Sequence, residues 1–332
     1  MLILGIESSC DETAAAVVED GRRVLSSVVA SQVDVHHRFG GVVPELASRK
    51  HIEAILPVVR ETLSQAGLQR EDLDAVAVTQ GPGLVGSLLV GYSFAKALAF
   101  GLNLPWVGVN HLDGHILSVF LEKDPPSFPF CALLASGGHT AIYHVTDYTE
   151  IERMGQTRDD AAGEAYDKVA KVLGLGYPGG QVIDDLAHQG DPTRIPFKRP
   201  FLDRNGFDFS FSGIKSAVNR MVQNDPDGLK GEVADVAAGF QEAVIDVLTH
   251  KLMQAAIDRR CDHVVVVGGV AANRRLRECV RQAGAKQGVA VHIPGLDLCG
   301  DNAAMIAAAG YHQLKLGRRG KLDDDVYSRV PF

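Results

Sequence analysis

The chain has 332 residues, enough at about 100–200 residues per domain for two domains with cores of their own. Hydrophobic residues make up 46% and charged residues 22%, and no low-complexity tract interrupts the chain, which excludes long disorder. A formal net charge of −8 argues against a protein that coats nucleic acid through its overall field, and leaves only local basic patches for that purpose.

The first residues, Met1 to Ile6, are apolar over a short run, follow no basic segment and lead at once to Asp11 and Glu12. They read as a buried strand and not as a signal peptide, and the expected location is cytoplasmic. Ile52, Ile55, Leu56, Val59 and Leu63 have helical spacing, with Pro57 expected to kink the helix or start it. Ala75–Val78 reads as a second strand. Leu84–Leu102 is the most membrane-like stretch, but Lys96 and several Gly and Ser leave it short of about 20 predominantly apolar residues, so no membrane association is expected. Asp124-Pro-Pro-Ser-Phe-Pro129 suits a linker, because it continues neither a helix nor a central strand. Cys131–Ala135, Val264–Val267 and Val289–Ile293 are further β-branched or apolar runs of strand length, and Val233, Val236, Phe240, Val244, Val247 and Leu252 form one helical stripe. This alternation predicts an α/β protein. The five cysteines are scattered, with no close pair for zinc or a redox dithiol, and read as reduced and mostly buried.

An internal echo refines the fold class. Leu2-Ile-Leu-Gly-Ile-Glu-Ser-Ser followed by Thr13–Val18 parallels Cys131-Ala-Leu-Leu-Ala-Ser-Gly-Gly-His-Thr followed by Ala141–Val145. Each reads strand, small-residue turn, strand. One such hairpin per half is the device by which the fold of actin, sugar kinases and chaperone ATPases holds nucleotide phosphates.

His111-Leu-Asp-Gly-His115 sets two imidazoles on one face of a helix, near enough to share a metal. A zinc protease needs a glutamate directly after the first histidine to act as base, and Leu112 stands there. Asp301, just before an apolar helical run, reads either as a helix cap or as a distant third ligand. Two histidines and one aspartate would suit Fe(2+) and tolerate Zn(2+). Glycine-dense turns at Gln80–Gly86, Ser136–Gly138, Gly174–Gly180 and Gly268–Asn273 would let backbone approach a nucleotide or adenylate, although none matches the P-loop or the dinucleotide fingerprint. Arg194, Lys198, Arg199 and Arg204 form one candidate RNA patch, and Arg274, Arg275, Arg277 and Arg281 a second.

In order, Gly5-Ile-Glu-Ser-Ser-Cys-Asp-Glu-Thr13, Gly81-Pro-Gly83, Asn110-His-Leu-Asp-Gly-His115, Ser136-Gly-Gly-His-Thr140, Gly176-Tyr-Pro-Gly-Gly180, Phe209-Ser-Phe-Ser-Gly-Ile-Lys215, Gly268-Gly-Val-Ala-Ala-Asn273 and Gly300-Asp-Asn302 span nearly the whole chain. This set resembles the bacterial TsaD family, formerly the glycoprotease family. The resemblance implies a two-domain actin-like ATPase fold: residues 1–125, completed by a C-terminal helix at about 302–332, and residues 126–301 with the adenylate-binding loops. It implies transfer of a threonylcarbamoyl group from L-threonylcarbamoyladenylate to N6 of adenosine 37 in tRNAs reading ANN codons, forming t6A and AMP. It further implies metal ligands His111, His115 and Asp301, and substrate contacts at Leu134, Ala135, Ser136, Gly137, Gly138, Asp167, Gly180, Asp184 and Asn273. Asp11 is the candidate catalytic group, to accept the amine proton or orient the nucleophile, against the reading that it caps the first hairpin turn. The implied partners are tRNA, the degenerate paralogue TsaB and the P-loop ATPase TsaE, with the adenylate supplied by a TsaC-type synthase. A metallo-endopeptidase acting on glycoproteins and a non-catalytic nucleotide-binding scaffold are the competing readings.

Overall fold

The computed structural model describes residues 1–200, 206–224 and 232–329, so Arg204 of the first basic patch lies outside the described residues. The chain forms two compact units, Met1–Pro125 with Pro294–Phe332, and Pro126–Ile293.

In the first unit, β1 (Leu2–Glu7), β2 (Glu12–Glu19) and β3 (Arg23–Ser31) form an antiparallel meander. Then come α1 (Val33–His37), α2 (Pro44–Ala66), β4 (Ala75–Gly81), α3 (Val85–Leu102), β5 (Trp106–Asn110) and α4 (His111–Leu117). The sheet runs β3-β2-β1-β4-β5, with β4 parallel to β1 and β5 parallel to β4. Helix α2 begins well before the predicted stripe, with Pro44 in its first turn, where a missing N–H costs nothing. Pro57 therefore neither starts the helix nor ends it, and sits exposed along its length. Among the described residues α3 is long and apolar enough to cross a membrane by length and composition, contrary to the sequence reading. In the fold it packs on α2 and β4, burying Leu88, Tyr92, Ala95 and Ala99.

The second unit repeats the plan. Strands β6 (Phe130–Ala135), β7 (Thr140–Asp147) and β8 (Glu150–Gln156) form a meander, followed by α5 (Ala162–Val172), α6 (Gly179–Ala187), α7 (Ser212–Asn224) and α8 (Val233–Arg259). Strand β9 (His263–Val267), α9 (Arg274–Gln287) and β10 (Ala290–His292) complete it. Its order, β8-β7-β6-β9-β10, with β9 parallel to β6 and β10 parallel to β9, matches the first sheet strand for strand. Helix α8 carries the predicted stripe and is buried nearly all round.

The chain then returns to the first unit with α10 (Leu296–Cys299) and α11 (Ala303–Lys315). The sequence reading runs the second domain on to residue 301, whereas Pro294 onwards groups with the first unit. The Gly295 N–H donates to Glu122 at 2.6 Å, and α11 lies across β1, β2, β4 and β5. With Leu4 and Ile6 buried against α2 and α3 and Gly5 facing α11, β1 is covered on both sides. A strand covered on both faces is apolar throughout instead of alternating. Gly5 has a steric reason as well: a Cβ there would collide with the Ala303 carbonyl oxygen, so only glycine lets the start of α11 rest on β1.

Candidate functional site

Helix α4 presents His111 at its start and His115 one turn later. Asn110 caps this helix, its side-chain oxygen accepting the Leu112 N–H at 2.8 Å and the Asp113 N–H at 3.4 Å. The four-residue spacing brings the two rings to 4.7 Å between centroids and nearly perpendicular, at 84°. Asp301 arrives from the start of α11. Its neighbour Asn302 is the cap of that helix, accepting the Met305 N–H at 2.9 Å, so the capping role expected of Asp301 is already filled. The Asp301 carboxylate is left to face the histidines, with Oδ1 3.1 Å from His115 Nε2 and 3.5 Å from His111 Nε2. One ligand atom from each of the three residues lies within 4.8 Å of the others. Gly114 keeps α4 close to α11, since a Cβ there would meet Ile306 at 2.9 Å.

A residue given no role by the sequence reading completes the cluster. Glu7 ends β1 fully buried, and its Oε2 stands 2.9 Å from His111 Nδ1 and accepts the Thr79 hydroxyl at 2.6 Å. Its Oε1 accepts the Ser9 N–H. The available signal was a carboxylate closing the otherwise apolar run Leu2-Ile-Leu-Gly-Ile-Glu7.

Electrostatics bind these groups together. Burial opposes charge on His111, but the Glu7 and Asp301 carboxylates outweigh it and hold the imidazole pKa well above its usual value. Burial alone would raise Asp301 and Glu7; the adjacent His111, joined at Asp301 by His115, holds both below the ordinary carboxylate range. Two Nε2 atoms and a carboxylate oxygen around one point, with a buried carboxylate behind one ring, fit a divalent cation.

Asp11 sits nearly buried in the β1–β2 turn, beside Cys10 and Glu12 in the chain. Its backbone oxygen accepts the Gln32 N–H at 3.0 Å. Burial, and then Asp11, push the Glu12 carboxyl up to about 9, so Glu12 holds a proton at neutral pH.

In the second unit, Leu134 and Ala135 close β6, and Ser136, Gly137 and Gly138 form the turn to β7. The Gly163 N–H donates to the Ser136 carbonyl at 3.1 Å, which ties the start of α5 to this turn. Asp167 on α5 accepts the Gly179 N–H at 2.7 Å, beside Gly180 at the start of α6. Asp184 on α6 accepts from Arg274 Nε at 2.8 Å. Asn273 caps α9 through the Leu276 N–H and donates to Gln241 at 2.7 Å. Gly268 is left-handed at φ 90° and lies against the Ala135 carbonyl, which joins this turn to the end of β6. At Gly137, Gly138, Gly180 and Gly269 an added Cβ would meet nothing within 4 Å, so these turn tips face open space. Asp184 and Arg274 also line a cavity of about 320 Å³.

The two basic patches are largely neutralised. Arg194 pairs with Asp235 at 2.6 Å, Arg199 with Asp246 at 2.7 Å, Arg274 with Asp184 and Asp185, and Arg275 with Glu242 and Glu278. Arg277 donates to the Ala271 carbonyl at 2.6 Å.

Two units of identical strand order make this a duplicated α/β protein of the actin-like ATPase class. Solved structures agree on the fold. HypF from T. kodakarensis matches with a TM-score of 0.65 at 15% identity, over 95% of this chain and 48% of that one. Component A of the (R)-2-hydroxyglutaryl-CoA dehydratase of Acidaminococcus fermentans matches with a TM-score of 0.56 at 16% identity, over 95% and 99%. The chain belongs to the TsaD family: the family described as "TsaD: tRNA N6-adenosine threonylcarbamoyltransferase" matches residues 23–308. Relatives of that name include one from Desulforapulum autotrophicum, 60% identical over the whole of both chains. Another, from Desulfotalea psychrophila, is 54% identical over 99% of this chain and 97% of its own.

Proposed function

We propose that this chain is a metal-dependent acyltransferase that moves the threonylcarbamoyl group from L-threonylcarbamoyladenylate to N6 of adenosine 37 in tRNAs reading ANN codons, releasing AMP. Family membership over the full length supports the reaction class. The observation that carries the metal-dependent form is the convergence of His111, His115 and Asp301, with Glu7 behind His111.

The exocyclic amine of adenine is a weak nucleophile, because its lone pair is delocalised into the ring. A divalent cation, Fe(2+) or Zn(2+), would when bound supply Lewis-acid activation of the acyl donor. The chain's own residues do the rest. His111, His115 and Asp301 hold the cation. The glycine turns at Ser136–Gly138, Gly180 and Gly268–Gly269 allow the adenylate to approach backbone, and Asp167, Asp184 and Asn273 give it polar contacts. Asp11 receives the amine proton, with protonated Glu12 beside it to orient its carboxylate.

The endopeptidase reading finds no support in the position after His111, where Leu112 is a buried apolar side chain. The scaffold reading expects decayed ligands, and all three stand together.

Partners follow from the same proposal. With Arg194, Arg199, Arg274 and Arg275 paired to carboxylates of the chain itself, tRNA binding by this acidic chain is shared with other proteins. Ile52 and Leu56 on α2 and Val85 and Leu89 on α3 are exposed apolar residues on helices that pack together, which supports docking of a paralogue such as TsaB. TsaE and a TsaC-type adenylate source complete the system, and the location is cytoplasmic.

The deciding assay incubates the purified protein and these partners with tRNA and threonylcarbamoyladenylate. Modified tRNA and AMP in equal amounts are expected, with a sialoglycoprotein in the same mixture left intact. Cleaved glycoprotein with unmodified tRNA would reverse the assignment.

A further inference from the structure

We infer that Glu7 is the positioning residue of the metal centre: by accepting the proton on His111 Nδ1 it fixes the ring so that Nε2 offers its lone pair to the cation. The inference rests on the reading of His111, His115 and Asp301 as a metal site.

The register of the sheet explains how residues so far apart in sequence meet. Strand β1 lies parallel to β4 with Ile6 opposite Val78, which brings Glu7 level with Thr79. Strand β5 lies parallel to β4 and ends at Asn110, so His111 opens α4 at the same edge of the sheet. Glu7 is then held from three directions. Thr79 donates to Oε2 at 2.6 Å, His111 Nδ1 stands 2.9 Å from the same oxygen, and the Ser9 N–H donates to Oε1.

With Oε2 accepting from Thr79 and Oε1 from the Ser9 N–H, Glu7 acts as an acceptor at both oxygens. The hydrogen between Glu7 and His111 therefore belongs to Nδ1, and a neutral His111 has its free lone pair on Nε2, the atom that faces Asp301. Ser9 Oγ, 3.3 Å from the same Nδ1, is farther away, and a hydroxyl that can donate or accept fixes no tautomer. His115 makes the contrast within the same helix. Its Nδ1 is buried and has no hydrogen-bond partner among the described residues, so nothing behind the ring orients it, and its hydrogen bond is to Asp301 at Nε2, the side where a cation would bind. The two ligands are therefore unequal, with His111 oriented in advance and His115 oriented by what it binds.

Stability alone is a poor reason to keep this carboxylate. A buried ion pair replaced by apolar groups of similar volume is often neutral or stabilising, and every other residue of β1 is apolar. Orientation of a ligating histidine is the role that a buried carboxylate performs and an apolar residue does not.

The test uses the full chain, stripped of metal, as wild type, Glu7→Gln and Thr79→Val. Each is titrated with Zn(2+) against a chromophoric chelator and unfolded in urea without metal. Imidazole ¹H–¹⁵N spectra of the zinc-loaded wild type identify the bound nitrogen of His111. Glu7→Gln is expected to bind Zn(2+) about 10–100-fold more weakly, with Thr79→Val losing less in the same direction, and Nε2 is expected to be the bound nitrogen. Unchanged Zn(2+) affinity in a folded Glu7→Gln protein whose metal-free stability drops would make Glu7 merely structural and overturn the inference. So would coordination through Nδ1. If Glu7→Gln does not fold, Thr79→Val and the wild-type spectrum decide. Wild-type protein that binds no Zn(2+) or Fe(2+) would instead remove the metal reading itself, a result distinct from equal binding by wild type and variant.

Discussion

The two units share a strand order and differ in what ends the first strand. Strand β1 ends in Glu7, opposite Ala14, and the turn after it carries Ser8, Ser9, Cys10 and Asp11. Strand β6 ends in Ala135, opposite Thr140, and its turn is Ser136, Gly137 and Gly138. The first therefore supplies buried charge and the second bare backbone. The same topology thus serves two chemistries, because a strand end is where side chains can change without disturbing the sheet. Close packing is also divided unevenly: Gly5 is pressed against α11, whereas Gly137 faces open space.

The comparison breaks most sharply if the charged cluster is not a metal site. Asp301→Ala should cut bound zinc and tRNA modification together by about 10²-fold or more, the scale of removing a group that holds the electrophile. A substitution in the second unit, Asn273→Ala, should leave zinc unchanged and lose a helix cap and the hydrogen bond to Gln241, about 1–3 kcal/mol in urea unfolding, with weaker adenylate binding.

Next in size is a difference between the two histidines. Spacing alone does not distinguish the two, but His111→Ala leaves Glu7 buried without its charged partner. That should cost about 3–5 kcal/mol in the metal-free protein. His115→Ala should cost clearly less, and is the better variant for assaying metal loss in folded protein. Equal melts for the two would contradict the Glu7 contact.

The glycines sharpen the comparison further. Gly5→Ala must move α11 away from β1 and should destabilise the protein by about 1–3 kcal/mol while loosening Asp301. Gly137→Ala should change stability by no more than about 0.5 kcal/mol and raise the adenylate concentration needed for half-saturation.

A last difference is a slope with pH. Glu12 in the folded chain holds its proton up to about 9, whereas the unfolded chain loses it near the ordinary glutamate value of 4.5. Between those values the native state binds more protons, so stability falls as pH rises, by at most about 1.4 kcal/mol per unit for one full proton. Glu12→Gln should match the wild type near pH 4 and exceed it increasingly toward pH 8, in urea melts across that range. A parallel pair of curves would place the proton elsewhere.

By itself the sequence determined what depends on short spacing. Apolar runs gave the central strands, the four-residue histidine spacing gave one helical face, and the echoed hairpins gave the duplicated class. The ordered motifs gave the family. Strands β3, β5 and β8 escaped that reading, since β3 and β8 are half-exposed edge strands of mixed composition and β5 is only five residues long. The tertiary structure alone decided which distant charges meet. Glu7 reaches His111 across 104 residues and Asp301 reaches His115 across 186, because sheet order and register, not sequence distance, choose neighbours. The same holds for the arginines: their charge is plain in the sequence, but the carboxylates that neutralise most of them come from other elements of the fold.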